Sequence, residues 1–91
     1  MEKISSRKNR IIYHMRAAAS SAEYRNKCRQ FVCDGEKTLK EALEYGAGIK
    51  QVLWCEGKDT VELPEDVEQF CAPAELVEYA SPLKSGPGPV F

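Results

Sequence analysis

The stretch Phe31 to Cys55 constrains the fold more than any other. It opens with a short apolar run, Phe31 to Cys33, that halts on Asp34-Gly35 and passes at once into "EKTLKEALEYG". In that segment Leu39, Ala42 and Leu43 share one helical face, and Glu36 and Lys40 stand four residues apart as a favourable pair. Asp34 is of the residue type that caps a helix, Gly35 permits a tight turn, and Gly46 is placed to end the helix in the left-handed conformation. A second apolar run, "IKQVLWC", follows, rich in β-branched and aromatic residues. Strand, helix and strand in this order predict two parallel strands joined by a right-handed crossover. Trp54, inside the second run, is expected to serve the core or a sheet face ahead of any base-stacking role.

The flanking segments continue the alternation. Between Asn9 and Ala22, the residues Ile11, Ile12, Met15, Ala18, Ala19 and Ala22 recur at helical spacing, which predicts a first helix with Ser6 or Asn9 as its cap. "EYRNKCRQ", Glu23 to Gln30, is too polar to bury and reads as a turn or extended link. Pro64 with Glu65 and Asp66 predicts a short helix, Phe70 to Ala72 a third strand, and Pro73 the opening of a last helix through Leu76, Val77 and Ala80. "SPLKSGPGP" is a loop by composition, and Val90-Phe91 reads as the first two residues of a strand, as expected of a piece of a longer protein. With 91 residues, one core is expected.

Charge is unevenly spread. The net charge is −1, yet residues 1 to 30 hold eight Lys or Arg against two Glu, while the remainder holds five basic against twelve acidic side chains. A basic N-terminal third is a candidate surface for a polyanion, and equally a solvated face that docks on the acidic half of its own chain. No run nears the ~18 apolar residues of a membrane span, and no secretory signal pattern is present. Residues 3 to 22, basic and rich in Ser and Ala, share their composition with transit peptides, but a cytoplasmic location is the expectation. Cys28, Cys33, Cys55 and Cys71 form no Cys-x-x-Cys pair and have one histidine, His14, for company. Reduced core thiols are expected and a metal site is not. His14 lacks a cysteine or carboxylate partner in sequence, so no catalytic role is assigned to it. No P-loop or Gly-x-Gly-x-x-Gly is present.

Ser6-Arg7-x-Asn9 before a helix, Arg25 in the link, and then Phe31-Val32-x-Asp34-Gly35-x-Lys37 with Glu41-Ala42 in the next helix form a pattern with order and spacing. It resembles the N-terminal substrate-binding domain of the SpoU (TrmH-type) RNA ribose 2'-O-methyltransferases, over almost the whole chain. The resemblance implies an α/β fold, a small three-layer α/β/α sandwich with a short, mostly parallel sheet like that of the ribosomal proteins that bind kinked RNA. It implies an RNA substrate-binding domain of an rRNA-processing methyltransferase, inactive alone. The knotted catalytic domain that binds S-adenosylmethionine, and through which the family forms homodimers, lies outside these residues. RNA contacts are then expected at Arg7, Lys8, Arg10, Arg16, Arg25, Lys27, Arg29 and Lys37; Asn9 is either a further contact or the cap of the first helix. Residues 1–30 are read as a basic helix and link, 31–85 as the α/β domain, and 86–91 as the start of the connection onward. Where the family carries Pro-Gln-Gly, this chain has Gly86-Pro87-Gly88-Pro89. A free-standing RNA-binding module and a protein-interaction domain that uses the basic helix are the alternatives.

Overall fold

A computed structural model describes all 91 residues. Its elements run β1 (Glu2–Lys3), α1 (Arg10–Ser20), α2 (Ala22–Cys28), α3 (Glu36–Glu44), β2 (Gln51–Cys55), β3 (Glu68–Ala72) and α4 (Ala74–Ala80). β3 lies between β1 and β2 and is parallel to both, with Phe70 opposite Glu2 on one side and Leu53 on the other.

Alternation along the strands divides the core into two layers. Leu53, Cys55, Phe70 and Ala72 join Ile11, Ile12 and Met15 of α1 and Leu76, Val77 and Ala80 of α4 in one cluster. Val52 and Trp54 point the other way, to Leu39 of α3 and to Val67. The Trp54 indole N–H, buried there, donates to Gln69 Oε1 at 3.0 Å, so this residue is part of the core as expected. The result is an α/β sandwich, with α1 and α4 on one face of the sheet and α3 on the other. The segments 1–30, 31–85 and 86–91 all contribute to it, since α1 shares the first cluster and Val90 is buried within it.

Several local expectations hold. Asn9 caps α1, its side-chain oxygen accepting from the Ile11 amide at 2.8 Å. The end of α3 closes with two bonds, Ala47 N–H to the Ala42 carbonyl and Gly46 N–H to the Leu43 carbonyl, the Schellman arrangement. Glu36 and Lys40 approach to 3.8 Å on the exposed side of α3.

Other elements differ. Glu23 to Gln30 is largely the helix α2, not a link; none of its side chains is buried, so apolar periodicity had nothing to register. It is held by polar contacts instead. Ser21 caps it, and His14 Nδ1 and Nε2 meet the Tyr24 hydroxyl and Gln30 Oε1 at 2.6 and 2.7 Å. Ala22, placed on the stripe of the first helix by spacing, is exposed in α2. Pro64 begins a turn closed by the Val67 amide, not a helix, because Val61, Leu63 and Val67 each turn toward the α3 side of the sheet.

Phe31 to Cys33 does not pair with β2. Val90 and Phe91 lie between them, antiparallel to both. Val90 and Leu53 exchange backbone bonds of 2.7 and 3.0 Å, and Cys33 and Phe91 do the same on the other side. The two apolar runs therefore share a direction without being neighbours. Asp34, expected to cap α3, does not: Gly35, at φ +120°, holds the cap position without a side-chain bond. The Asp34 carboxylate is buried and turned away, accepting from the Ser81 hydroxyl at 2.6 Å and the Gly88 amide at 3.1 Å.

Candidate nucleic-acid interface

α1 must bury Ile11, Ile12, Met15 and Ala18, so its 3.6-residue period turns Arg10, Tyr13 and Arg16 outward. These three are successive at i, i+3 and i+6 and therefore neighbours on the surface. Tyr13 is 67% exposed between the two arginines. Arg7 joins them from the turn after β1.

The seam between α1 and α4 organises this surface. Tyr79 of α4 packs on the core by one edge, and the Arg7 guanidinium lies over its ring, 4.4 Å from the centroid. Arg16 approaches the same ring at 5.1 Å and donates to the Tyr79 carbonyl at 3.4 Å. Cation–π contact holds both guanidinium groups against one rigid platform while most of their N–H donors stay free. Two long side chains that would otherwise sample many rotamers are thus partly ordered before any ligand arrives. Arg10, 71% exposed at its side chain, makes a 3.8 Å ion pair with Glu68 at the start of β3. In an exposed setting such a pair is weak, worth at most ~1 kcal/mol, so a phosphate can displace it.

The remaining basic residues take different positions. Arg25 reaches back from α2 and donates to the Ala18 carbonyl at 2.6 Å and the Ala19 carbonyl at 3.5 Å. It therefore satisfies open carbonyls at the end of α1, where a cation also complements the helix dipole. Asn9 is occupied as the cap of α1. Lys8 is exposed in the turn that carries Arg7, Lys27 is exposed on α2, and Arg29 follows α2 in the left-handed conformation at φ 57°. Lys37 is exposed in the first turn of α3.

Tyr13 and Tyr79 complete the surface and were not singled out by sequence. Tyr79 lies 63 residues beyond Arg16, and only the packing of α4 on α1 joins them. Tyr13 had a local signal, being three residues from both Arg10 and Arg16.

Two titratable groups are displaced from their ordinary values. Partial burial pushes the Cys33 thiol up. Tyr24 is raised as well, first by desolvation beside His14, then by the nearby Cys28 and Tyr13. Both shifts favour the neutral forms. All four cysteines are free thiols, Cys55 fully buried and the others half-buried. No three His, Cys, Asp or Glu side chains gather as a metal site would require, and no helix is long and apolar enough to cross a membrane.

No family model and no curated protein matches the chain. Among solved structures, the crystal structure of an RNA 2'-O ribose methyltransferase is similar, with a TM-score of 0.77 and 20% sequence identity. The match covers 97% of this chain and 35% of that one, so the chain spans about a third of the length of the solved protein. At that identity the likeness concerns fold, and it establishes the small α/β architecture along nearly the whole of the chain.

Proposed function

We propose that the chain is the RNA-docking domain of an S-adenosylmethionine-dependent RNA 2'-O-ribose methyltransferase, acting on ribosomal RNA in the cytoplasm. The observation that carries this reading is the pair of arginines, Arg7 and Arg16, held on Tyr79 beside Tyr13 and Arg10. Interleaved guanidinium and aromatic groups suit a ribose–phosphate chain, whose phosphates take the cations and whose unpaired bases take the rings. The fold shared with an RNA 2'-O ribose methyltransferase supports the same assignment.

In this role Arg7, Lys8, Arg10 and Arg16 form the primary phosphate contacts, and Lys27, Arg29 and Lys37 extend them. Arg25 and Asn9 act through the framework, by fixing the two ends of α1. Ribose methylation requires a 2'-hydroxyl held in line with a sulfonium methyl, and much of its barrier can be met by positioning. A docking domain contributes that positioning. The methyl transfer, the S-adenosylmethionine site and any homodimer contact belong to a further domain, and no residue of this chain is assigned to them.

The test is RNA affinity measured across a salt series, with ribosomal RNA fragments, for the parent chain and for Arg7→Ala/Arg10→Ala/Arg16→Ala. The parent should bind with a steep salt slope. The triple variant should keep its fold, bind about ten- to a hundredfold more weakly, and lose about two to three units of the log–log slope. A parent that does not bind, or equal slopes for both proteins, would reject this surface as an RNA interface and favour a protein partner.

A further inference from the structure

Of the two tyrosines at the arginine surface, only one has a free ring. Tyr79 is half-buried, packs on the core, and carries the Arg7 and Arg16 guanidinium groups at 4.4 and 5.1 Å from its centroid. Tyr13 is 67% exposed and has no aromatic or cation–π partner. It stands one turn from Arg10 and one turn from Arg16, both exposed, on the side of α1 turned away from the core. The fold does not require a ring there, since α1 packs through Ile11, Ile12, Met15 and Ala18 on its other side.

The shape of this surface selects the form of the ligand. α1 presents a ridge of three long side chains, its opposite side being packed on α4 and the sheet. The major groove of an A-form RNA duplex is too deep and narrow for side chains to read, and its minor groove is wide and shallow. A duplex would therefore offer the ridge phosphates and hydroxyls but no base face. In a loop or bulge the bases are splayed out, and one of them can lie on an aromatic ring while the phosphates on either side reach cations. An arginine one turn to each side of Tyr13 supplies both cations.

We propose, resting on the RNA-docking role assigned to this surface, that it takes an unpaired nucleotide of an RNA loop or bulge, with the base stacked on Tyr13 and the flanking phosphates on Arg10 and Arg16. Tyr79 has a different part. It positions Arg7 and Arg16 and meets no base. Stacking on a ring is tolerant of base identity, so the surface selects unpaired over paired RNA and not a particular sequence.

Affinity for two RNAs of equal phosphate number, a hairpin with an unpaired adenosine loop and a blunt duplex, tests this by fluorescence titration of the parent, Tyr13→Phe and Tyr13→Leu. The parent should prefer the hairpin by about tenfold. Tyr13→Leu, at a position the core does not use, should lose most of that preference while its duplex affinity stays within about twofold; Tyr13→Phe should keep it. Stacking releases no counterions, so the salt slope on the hairpin should be the same for all three proteins. Equal affinity of the parent for both RNAs, or a Tyr13→Leu protein that keeps the preference, would overturn the role of Tyr13 while leaving RNA docking intact. Binding of neither RNA by the parent would reject RNA docking itself, and this inference with it.

Discussion

Replacing Asp34 by Ala tests how the C-terminal loop is fastened. The carboxylate is 9% exposed and accepts from two groups distant in sequence, the Ser81 hydroxyl at 2.6 Å and the Gly88 amide at 3.1 and 3.2 Å to its two oxygens. Ser81 in turn accepts from the Leu83 amide at 3.0 Å. A hydrogen bond to a charged group contributes about 1.5–3 kcal/mol, and its loss strands the buried donor. Gly88 is half-buried and water can reach part of it, so the two bonds together are worth about 3 kcal/mol. A domain of this size has roughly 5–14 kcal/mol in all. The expected loss lowers Tm by about 12–24 °C, read by circular dichroism. Had Asp34 only capped α3, the cost would be about 1 kcal/mol. A double-mutant cycle with Ser81→Ala separates the two roles, since a cap has no coupling to Ser81 and the clamp should couple by at least about 1 kcal/mol. A loss under about 1 kcal/mol with no coupling would refute the clamp.

Further outcomes are expected. Arg25→Ala should lower stability by about 1–2 kcal/mol in thermal unfolding, through the carbonyls it satisfies on α1, while RNA affinity of the folded protein stays within about twofold. Tyr79→Leu should weaken RNA binding several-fold in a fluorescence titration, because Arg7 and Arg16 lose their shared platform, whereas Tyr79→Phe should bind as the parent does. Gly86→Ala should be strongly destabilising in the same unfolding assay, because a Cβ there would collide with Ser81 Oγ and Asp34 Oδ2. Cys33 and Tyr24 have pKa values raised on folding, so they favour the folded state while neutral in both states. That contribution should be present below the unfolded values and lost as alkaline pH rises through the folded ones. Cys33→Ser should reduce the alkaline loss in denaturant titrations at stepped pH.

What sequence could show depended on whether a residue's role was local. α1, α3 and α4 were legible because Ile11, Leu39 and Leu76 repeat with their neighbours at helical spacing, and β2 because "QVLWC" has few other uses. α2 was not, since His14, Tyr24 and Gln30 hold it by polar contacts that no hydropathy pattern records. β1 is two charged residues preceding the buried Ile4, too short for any period to appear. Asp34 had the right type and place for a cap, but its partners lie 47 and 54 residues away. At the candidate interface the arginines were legible as charge. Their division into free, stacked and framework groups was not, because Tyr79 and the Ala18 carbonyl meet them only after α4 and α2 are packed.

The insertion of Val90 between β2 and the Asp34 segment bears on how the chain folds as it is made. Leu53, bonded to Val90, and Cys33, bonded to Phe91, lie tens of residues upstream of their partners, and β1 pairs with β3 across nearly seventy positions. Such high contact order makes closure of the sheet a late, slow event. On the ribosome, α1 and α3 can form as local helices early, but β2 keeps a bare edge until Val90 and Phe91 have left the exit tunnel. Until then the nascent chain offers an unpaired apolar strand, the species most open to chaperone capture or to mispairing with a neighbouring chain.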